Sequence, residues 1–505
     1  MNAKTKRAKK TYEEFNGRLR ALSLPFFLHS WEEERMPEAG KPYRNGQLVE
    51  LSAIAYEYQT GARYTRSIET LYADRESLDP VLRHEIEEAK RNADKLAKVP
   101  KEDYLAYRNV LLEAYPKFVE AKNTGKFDPV RPYLKKILAY NRNYVVWEET
   151  DSLKGYDVLL DEYEPGMTVQ KYDEFFGLIK TELVPFLKKV LAAQKPVHPA
   201  FTERKFPAEK QKKFCEYLGE VMLFDKAKTM MGESEHPYTN NNGNRDVRIT
   251  NHYYENDLAS AIFSAIHEMG HALYELQVSD DLQDTMSGGG VSMAVHESQS
   301  RFFENIVGRS AAFWHRHFPA LKECFAEELK DVTEEDFFAY INRVSAGFVR
   351  TEADELTYPL HVLIRYEIEK EMFEGTVTEE NVEQVWNAKY KEYLGLDVPD
   401  AGLGVAQDMH WYGGSIGYFP TYALGSAYAA QILSAMRRDF DADAAMGDPT
   451  VGKIAAWLKE HIHQFGSSKS PADILQIACG APFDPHYYID YLKQKYAKIC
   501  GISAE

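Results

Sequence analysis

Residues 267 to 271 read His-Glu-Met-Gly-His, and the types and spacing of three of them fit one kind of chemistry. On a helix, side chains four residues apart stand one above the other, so His267 and His271 can reach a single tetrahedral metal ion. Glu268 then hangs beside the open metal position, where a water molecule would sit. Two imidazole ligands and a carboxylate base on one rigid element are what a zinc peptidase requires. The alternative is a surface helix with two histidines and a solvated glutamate, and the flanking residues argue against it. Asn256 and Asp257 can cap a helix whose apolar stripe runs through Leu258, Ile262, Ile266, Met269 and Leu273. His267 and His271 fall at the edge of that stripe, which predicts a largely buried helix. An unpaired Glu268 would be costly there, and a dication would compensate it. Gly270 costs up to about 1 kcal/mol of helix stability, and it permits close approach of another backbone or of substrate.

A third ligand is required. The extended pattern, with glycine three and histidine six residues after the second histidine, is absent, because Tyr274 and Gln277 stand there. That excludes the metzincin class. The next candidate is Glu297, in the run His296-Glu297-Ser298-Gln299-Ser300-Arg301. It follows a turn, Ser287-Gly288-Gly289-Gly290, and opens a second amphipathic helix through Phe302, Ile306 and Val307. A hairpin of this length brings the chain back alongside the first helix. His296 competes with Glu297 for the third place. Neighbouring residues on a helix point about 100° apart, so only one of them can face the metal. Two histidines and one glutamate form a common catalytic zinc set with the fourth position open.

The elements that must position these groups are mostly helical. Leu48, Leu51, Ile54, Ala55 and Tyr58 mark one long helix. Asp79-Pro80 starts another, and Ser470-Pro471 does the same after Gly466 closes the helix before it. The clearest strand candidate is 246–253, where Val247 and Ile249 alternate with Arg248 and Thr250. It follows a polar loop from Asn240 to Asn244 and ends just before the motif helix. Such a strand could pair with an extended peptide, or serve only as a structural hairpin.

A chain of 505 residues, 44% apolar and 13% aromatic, has ample material for a large core. No Pro/Gly/Ser-rich linker, low-complexity tract or repeat divides it, so one catalytic domain over 1–505 is expected. The net charge of −17, with both signs mixed along the sequence, argues against nucleic acid and anionic membrane as main partners. No apolar run approaches a membrane span. The basic start (Lys4, Lys6, Arg7, Lys9, Lys10) lacks the apolar stretch of a secretory signal. Cys215, Cys324, Cys479 and Cys500 form no CxxC, and free thiols in a reducing cytoplasm are the simplest account.

Six short runs, taken together, resemble the carboxypeptidase Taq family of zinc metallocarboxypeptidases. They are His236-Pro237-Tyr238, Asp246-Val247-Arg248-Ile249-Thr250, the 267–271 motif, His296-Glu297-Ser298-Gln299, Val349-Arg350-Thr351-Glu352-Ala353-Asp354, and Gly404-Val405-Ala406-Gln407-Asp408-Met409-His410-Trp411. Tyr238 stands where the family pattern has Phe, and Val349 where it has Ile or Asn. Neither touches a ligand. The resemblance implies a mainly α, two-lobed fold with a deep central groove and a small β-sheet near the zinc site, similar to angiotensin-converting enzyme and the neurolysin-like peptidases. It also implies a homodimer that removes single residues from peptide C-termini with broad side-chain tolerance.

On that basis His267, His271 and Glu297 are expected to hold Zn²⁺, with Co²⁺ able to take the same ligands. Glu268 is the expected general base. His410 and Tyr422 are the candidate oxyanion donors, with Tyr418 as the rival tyrosine, because the family's fold relatives place a His and a Tyr in this region. The segment Gly413-Gly414-Ser415-Ile416-Gly417 before them is expected to move with substrate. Arg350 is the first choice for gripping the substrate's terminal carboxylate and Arg248 the second, both from family motifs. His236 and Tyr418 complete the expected substrate-binding set. An i,i+4 ion pair with Asp354 is the plain structural use of Arg350. Asp408, Gln407 and Trp411 are expected as supporting or wall residues. An endopeptidase or dipeptide-releasing enzyme of the same fold would keep this zinc site, whereas a purely structural zinc protein would have no need of Glu268.

Overall fold

The computed structural model describes residues 1–33 and 35–504, and they are mainly helical with one small sheet. Four N-terminal helices come first: α1 (Ala3–Glu32), α2 (Lys41–Thr60), α3 (Ala62–Ala73) and α4 (Pro80–Lys98). Asp79 caps α4 by accepting from the Leu82 N–H, with Pro80 in the first turn. Ser470 caps Pro471–Cys479 in the same way. The stripe from Leu48 to Tyr58 does lie on one helix, α2, yet no residue of α2 is buried and Ile54 is 40% exposed. Periodicity fixed the helix but not what covers it.

Tyr12, Phe15, Tyr64, Ile68, Leu71, Leu78, Leu82 and Ile86 form a small apolar core of their own within the N-terminal helices. A second, much larger core takes in residues from Ala114 to Ala497. Between them lies a cavity of about 740 Å³. Tyr12, Tyr64 and Glu85 line it from the N-terminal side, and Ser292, Met293 and His296 from the other.

The sheet has three strands, β1 (Thr229–Glu233), β2 (Thr239–Asn241) and β3 (Val247–Asn251), in the order β1-β3-β2. β1 runs parallel to β3 and β2 antiparallel to it. This corrects two expectations. β3 is the middle strand, so both its edges are occupied and it cannot pair with a peptide; β1 and β2 are the outer strands, and β2 takes up the start of the supposed polar loop. Thr250 is also buried rather than alternating outward, because its hydroxyl accepts from Ser234 Oγ and the Tyr238 N–H.

The motif helix spans Leu258–Gln277, with Asp257 accepting from the Ser260 N–H as its cap. Leu258, Ile262, Ile266, Met269 and Leu273 are buried, as the stripe required. The ligand helix, Met293–Arg301, is capped by Ser292 and runs on into a π-helical turn, Phe302–Val307. A third helix, Phe419–Asp439, lies against the ligand helix. Glycines set both spacings. A Cβ at Gly270 would sit 2.8 Å from Ser300 Cα and 2.9 Å from the Gln299 carbonyl, and one at Gly425 would sit 2.8 Å from the Cβ and Cγ of Glu297. The close approach that Gly270 permits is therefore to the backbone of the ligand helix.

Gly270→Ala should lower stability by about 1–3 kcal/mol through overpacking, although alanine is the better helix former by up to about 1 kcal/mol. Thermal unfolding measures the sum. A Tm equal to or above that of the unmodified protein would mean the two backbones need not lie so close.

Candidate active site

Buried packing aims the three proposed ligands at one point. Nε2 of His267 and Nε2 of His271 lie 3.6 and 3.5 Å from Glu297 Oε2, and the three atoms fall within 4.8 Å of one another. The donor set fits a divalent cation of zinc type. Each imidazole has its Nδ1 engaged on the far side, that of His267 with Glu304 Oε2 at 2.8 Å and that of His271 with His296 Nδ1 at 2.6 Å. Only the Nε2 atoms remain to face a metal. Burial pushes His271 down to about 3, which keeps it a neutral ligand. Glu297 accepts from Arg301 Nε at 2.7 Å and from Ser300 Oγ at 3.1 Å. Against its own burial, Glu304 is held down at about 2 by Arg301, His267 and Arg309.

Glu268 sits beside this set, 7% exposed, with Oε2 accepting from Thr239 Oγ1 on β2 at 2.5 Å. Burial raises its carboxyl above the ordinary range, while His267 and the Thr239 hydrogen bond pull it back. The competition at the third place is resolved for Glu297. His296 points away from the ligand atoms and donates from Nε2 to Glu275 Oε1 at 2.8 Å.

The structure also gathers His410, Tyr418, Tyr422 and Arg350. His410 Nε2 lies 3.0 Å from the Tyr422 hydroxyl, and the Tyr418 ring stands 5.4 Å from His410 and 5.0 Å from Tyr422. The Arg350 guanidinium covers the Tyr422 ring at 4.6 Å. Tyr422 is one turn before Gly425, the residue packed on Glu297, so this cluster borders the ligand set. Arg350 does not pair with Asp354, because it lies on a short 3₁₀ turn, Arg350–Glu352, rather than on an α-helix. Asp354 accepts instead from the N–H groups of Ser345, Leu356 and Thr357. The partner of Arg350 is Asp408, which also holds Arg365. Gln407 accepts from the Arg350 N–H and from Arg365 Nη2. Asp408 and Gln407 thus orient an arginine and not a metal ligand.

Three other expectations read differently in the structure. The 413–417 segment is tied down: Gly417 N–H and Trp411 Nε1 both donate to buried Glu369, at 2.9 and 2.6 Å. Gly417, at φ 95°, leaves no room for a Cβ, which would sit 2.6 Å from the Leu159 carbonyl. Arg248 forms a two-pronged pair with Asp246 and stacks on Phe27 and Trp31 of α1. His236 is exposed in the turn between β1 and β2. Sequence reasoning passed over Glu304, Glu275, Arg301 and Thr239. Glu275 follows His271 by four residues and Glu304 follows Glu297 by seven, so helical spacing carried a signal for both.

Fold and site together define a mainly helical metallopeptidase of the HExxH kind. Comparison with known proteins narrows the class. The model of the carboxypeptidase Taq (M32) metallopeptidases matches residues 24–496. Carboxypeptidase 1 of Bacillus subtilis is 37% identical over 465 residues, 92% of each chain. Thermostable carboxypeptidase 1 of Thermus thermophilus is 33% identical over 492 residues, covering 94% of this chain and 95% of the relative. The crystal structure of an M32 carboxypeptidase from Deinococcus radiodurans superposes with a TM-score of 0.93 at 31% identity, over 98% of this chain and all of that one. The chain belongs to the carboxypeptidase Taq (M32) family, and it is a metallocarboxypeptidase acting on peptides.

Asp408 supplies a stability test. Burial alone would raise its carboxyl, but Arg350 and Arg365 override that and hold it far below the carboxylate range. A depressed carboxylate contributes its stabilisation above the unfolded value, near pH 4, and loses it as pH falls further. Asp408→Ala should cost about 3–5 kcal/mol in denaturant unfolding at neutral pH, because two buried guanidinium groups lose their anion. Asp443→Ala, which breaks an exposed pair with Arg437, should cost no more than about 1 kcal/mol. Equal losses would mean the Asp408 pair is not a stabilising one.

Proposed function

We propose that the enzyme releases single amino acids from peptide C-termini with broad side-chain tolerance, using Zn²⁺ held by His267, His271 and Glu297. The observation that carries this reading is the convergence of those three ligand atoms with Glu268 alongside. Zn²⁺ at that point would acidify a water and polarise the scissile carbonyl, and Co²⁺ fits the same donors. Glu268 accepts the water's proton and returns it to the leaving amine, and its raised affinity for protons suits both halves of that transfer. Tyr422 and His410 stabilise charge developing on the carbonyl oxygen, with Tyr418 flanking them.

Arg350 grips the terminal carboxylate of the substrate. A guanidinium has five N–H groups. Here Asp408 takes one from Nε and one from Nη2, and Tyr358 takes one from Nη1. Two remain free, one on each terminal nitrogen, which is the number a carboxylate needs. Arg248 is the second choice, and His236, exposed in the turn between β1 and β2, is a further candidate for contact with peptide.

We read residues 1–505 as one catalytic domain with two lobes, matching the two apolar cores, and the cavity between them as part of a groove like that of angiotensin-converting enzyme and the neurolysin-like peptidases. A homodimer would cover exposed Leu105, Leu112 and Tyr115 on the helix Lys101–Thr124. Four free cysteines suit a reducing cytoplasm.

Glu268→Gln should keep zinc and fold while losing nearly all turnover, since an amide cannot accept the water's proton. Zinc analysis and a peptide ladder read by mass spectrometry test it together. Substantial turnover in the zinc-loaded variant would remove Glu268 from the role of base.

Arg350→Ala should reduce kcat/KM by roughly 30-fold to several thousand-fold, the equivalent of about 2–5 kcal/mol for a truncated charge-assisted contact. Amidation of the substrate's C-terminus should cost the unmodified enzyme a similar factor. The two losses should not add, because both delete one interaction. Additive losses would exclude Arg350 and make Arg248 the residue to test.

A further inference from the structure

Behind two of the three ligands stands a charged partner, Glu304 for the His267 imidazole and Arg301 for the Glu297 carboxylate. Behind His271 stands another imidazole. Nδ1 of His271 and Nδ1 of His296 are 2.6 Å apart. At that distance they share one proton, so one ring donates and the other accepts. The far side of His296 decides which. Its Nε2 lies 2.8 Å from Glu275 Oε1. That oxygen also accepts from the Gly290 N–H at 3.0 Å, and the second carboxylate oxygen accepts from Asn241 Nδ2 at 2.9 Å. Glu275 is buried, faces three donors and has only acceptor places to offer.

His296 therefore carries its proton on Nε2 and presents a lone pair at Nδ1. His271 then carries its proton on Nδ1, which leaves Nε2 bare and aimed at Glu297 Oε2. The opposite arrangement would place a proton on the atom that has to bind metal. The His296 ring has little freedom to turn over. A Cβ at position 290 would lie 2.5 Å from its Cδ2, and the Tyr274 ring stands 5.1 Å away.

We infer that His296 is a positioning residue, which fixes the tautomer and ring orientation of His271 through a relay that runs from Asn241 on β2 through Glu275 and His296 to the metal position. The inference rests on the metal-site reading above and assigns a task to a residue that is not itself a ligand. Hydrogen-bond partners of this kind commonly set metal affinity by a factor of about 10–100.

Three substitutions separate the relay from simple packing. An asparagine at 296 places its carbonyl oxygen near the position of Nδ1 and can accept from His271. A glutamine reaches instead toward Glu275 and leaves no acceptor at Nδ1, and a phenylalanine keeps the ring without its nitrogens. Zn²⁺ dissociation constants, measured on metal-free full-length protein against a competing chelator, should rise by roughly 10–100-fold in His296→Gln and His296→Phe and by less than about fivefold in His296→Asn. In ¹⁵N-histidine spectra of the metal-free protein, His271 should be the Nδ1–H tautomer in wild type and in His296→Asn, and a mixture of tautomers in His296→Phe. Equal zinc affinity in the Asn and Gln variants, or wild-type affinity in the Phe variant, would overturn the relay. If His296→Phe does not fold, the Asn and Gln pair decides it alone. Failure of the unmodified protein to bind Zn²⁺ would overturn the metal-site reading instead.

Discussion

Glu297 has to remain an anion in a place that offers it almost no water. It is 8% exposed; the helix Phe419–Asp439 presses on its Cβ and Cγ at Gly425, and Gly270 lets the motif helix close on the backbone of Gln299 and Ser300 beside it. A carboxylate in that position is tolerable only with a fixed cation, and Arg301 supplies one a single turn away. The Arg301 side chain is itself only 14% exposed, and the same constraint passes on to Glu304, to which Arg309 adds a second charge at 3.6 Å. Charges alternate along the ligand helix and its π-helical continuation, and the second carboxylate doubles as the partner of His267. The widened turn falls where Glu304 must reach back to that imidazole, consistent with the tendency of π-turns to occur at functional sites.

A second buried charge network lies across the site, with Asp408 between Arg350 and Arg365. The two networks meet at Tyr358. The Arg301 guanidinium lies 4.2 Å over its ring, while Arg350 Nη1 donates to its hydroxyl. An enzyme that cuts one residue from a chain end needs a fixed distance between the cutting and gripping positions. Side chains locked by charge-assisted hydrogen bonds hold such a distance better than residues on a loop free to move. The tether of Gly417 and Trp411 to Glu369 serves the same end, since it anchors the stretch that carries His410 and Tyr418.

The sequence carried the motif helix almost completely, because cap, apolar stripe and ligand spacing are all local signals that agree. It carried the sheet poorly. β2 is only three residues long, and β1 (Thr-Met-Met-Gly-Glu) hardly alternates, so nothing local revealed that β3 is flanked on both sides. The partner of Arg350 was equally hidden. Asp408 is 58 residues away, whereas Asp354 sat at an inviting i+4 spacing that a 3₁₀ turn makes irrelevant. In α2 the period was right and burial wrong, since a helical period reports that a face exists and not what covers it.

The rivalry between His296 and Glu297 for one metal position has a geometric resolution. Adjacent residues on a helix point about 100° apart, so the two side chains reach past different sides of the same neighbour. Glu297 comes to the front of His271, at its Nε2, and His296 comes to the back, at its Nδ1. One short stretch of helix thereby grips an imidazole on the opposing helix from both sides. A one-residue slip of the ligand helix would exchange the two and leave neither nitrogen properly served. Gly270 and Gly425 guard against that slip by allowing backbone and side chain to interlock at van der Waals distance, where helices separated by larger side chains would slide more easily.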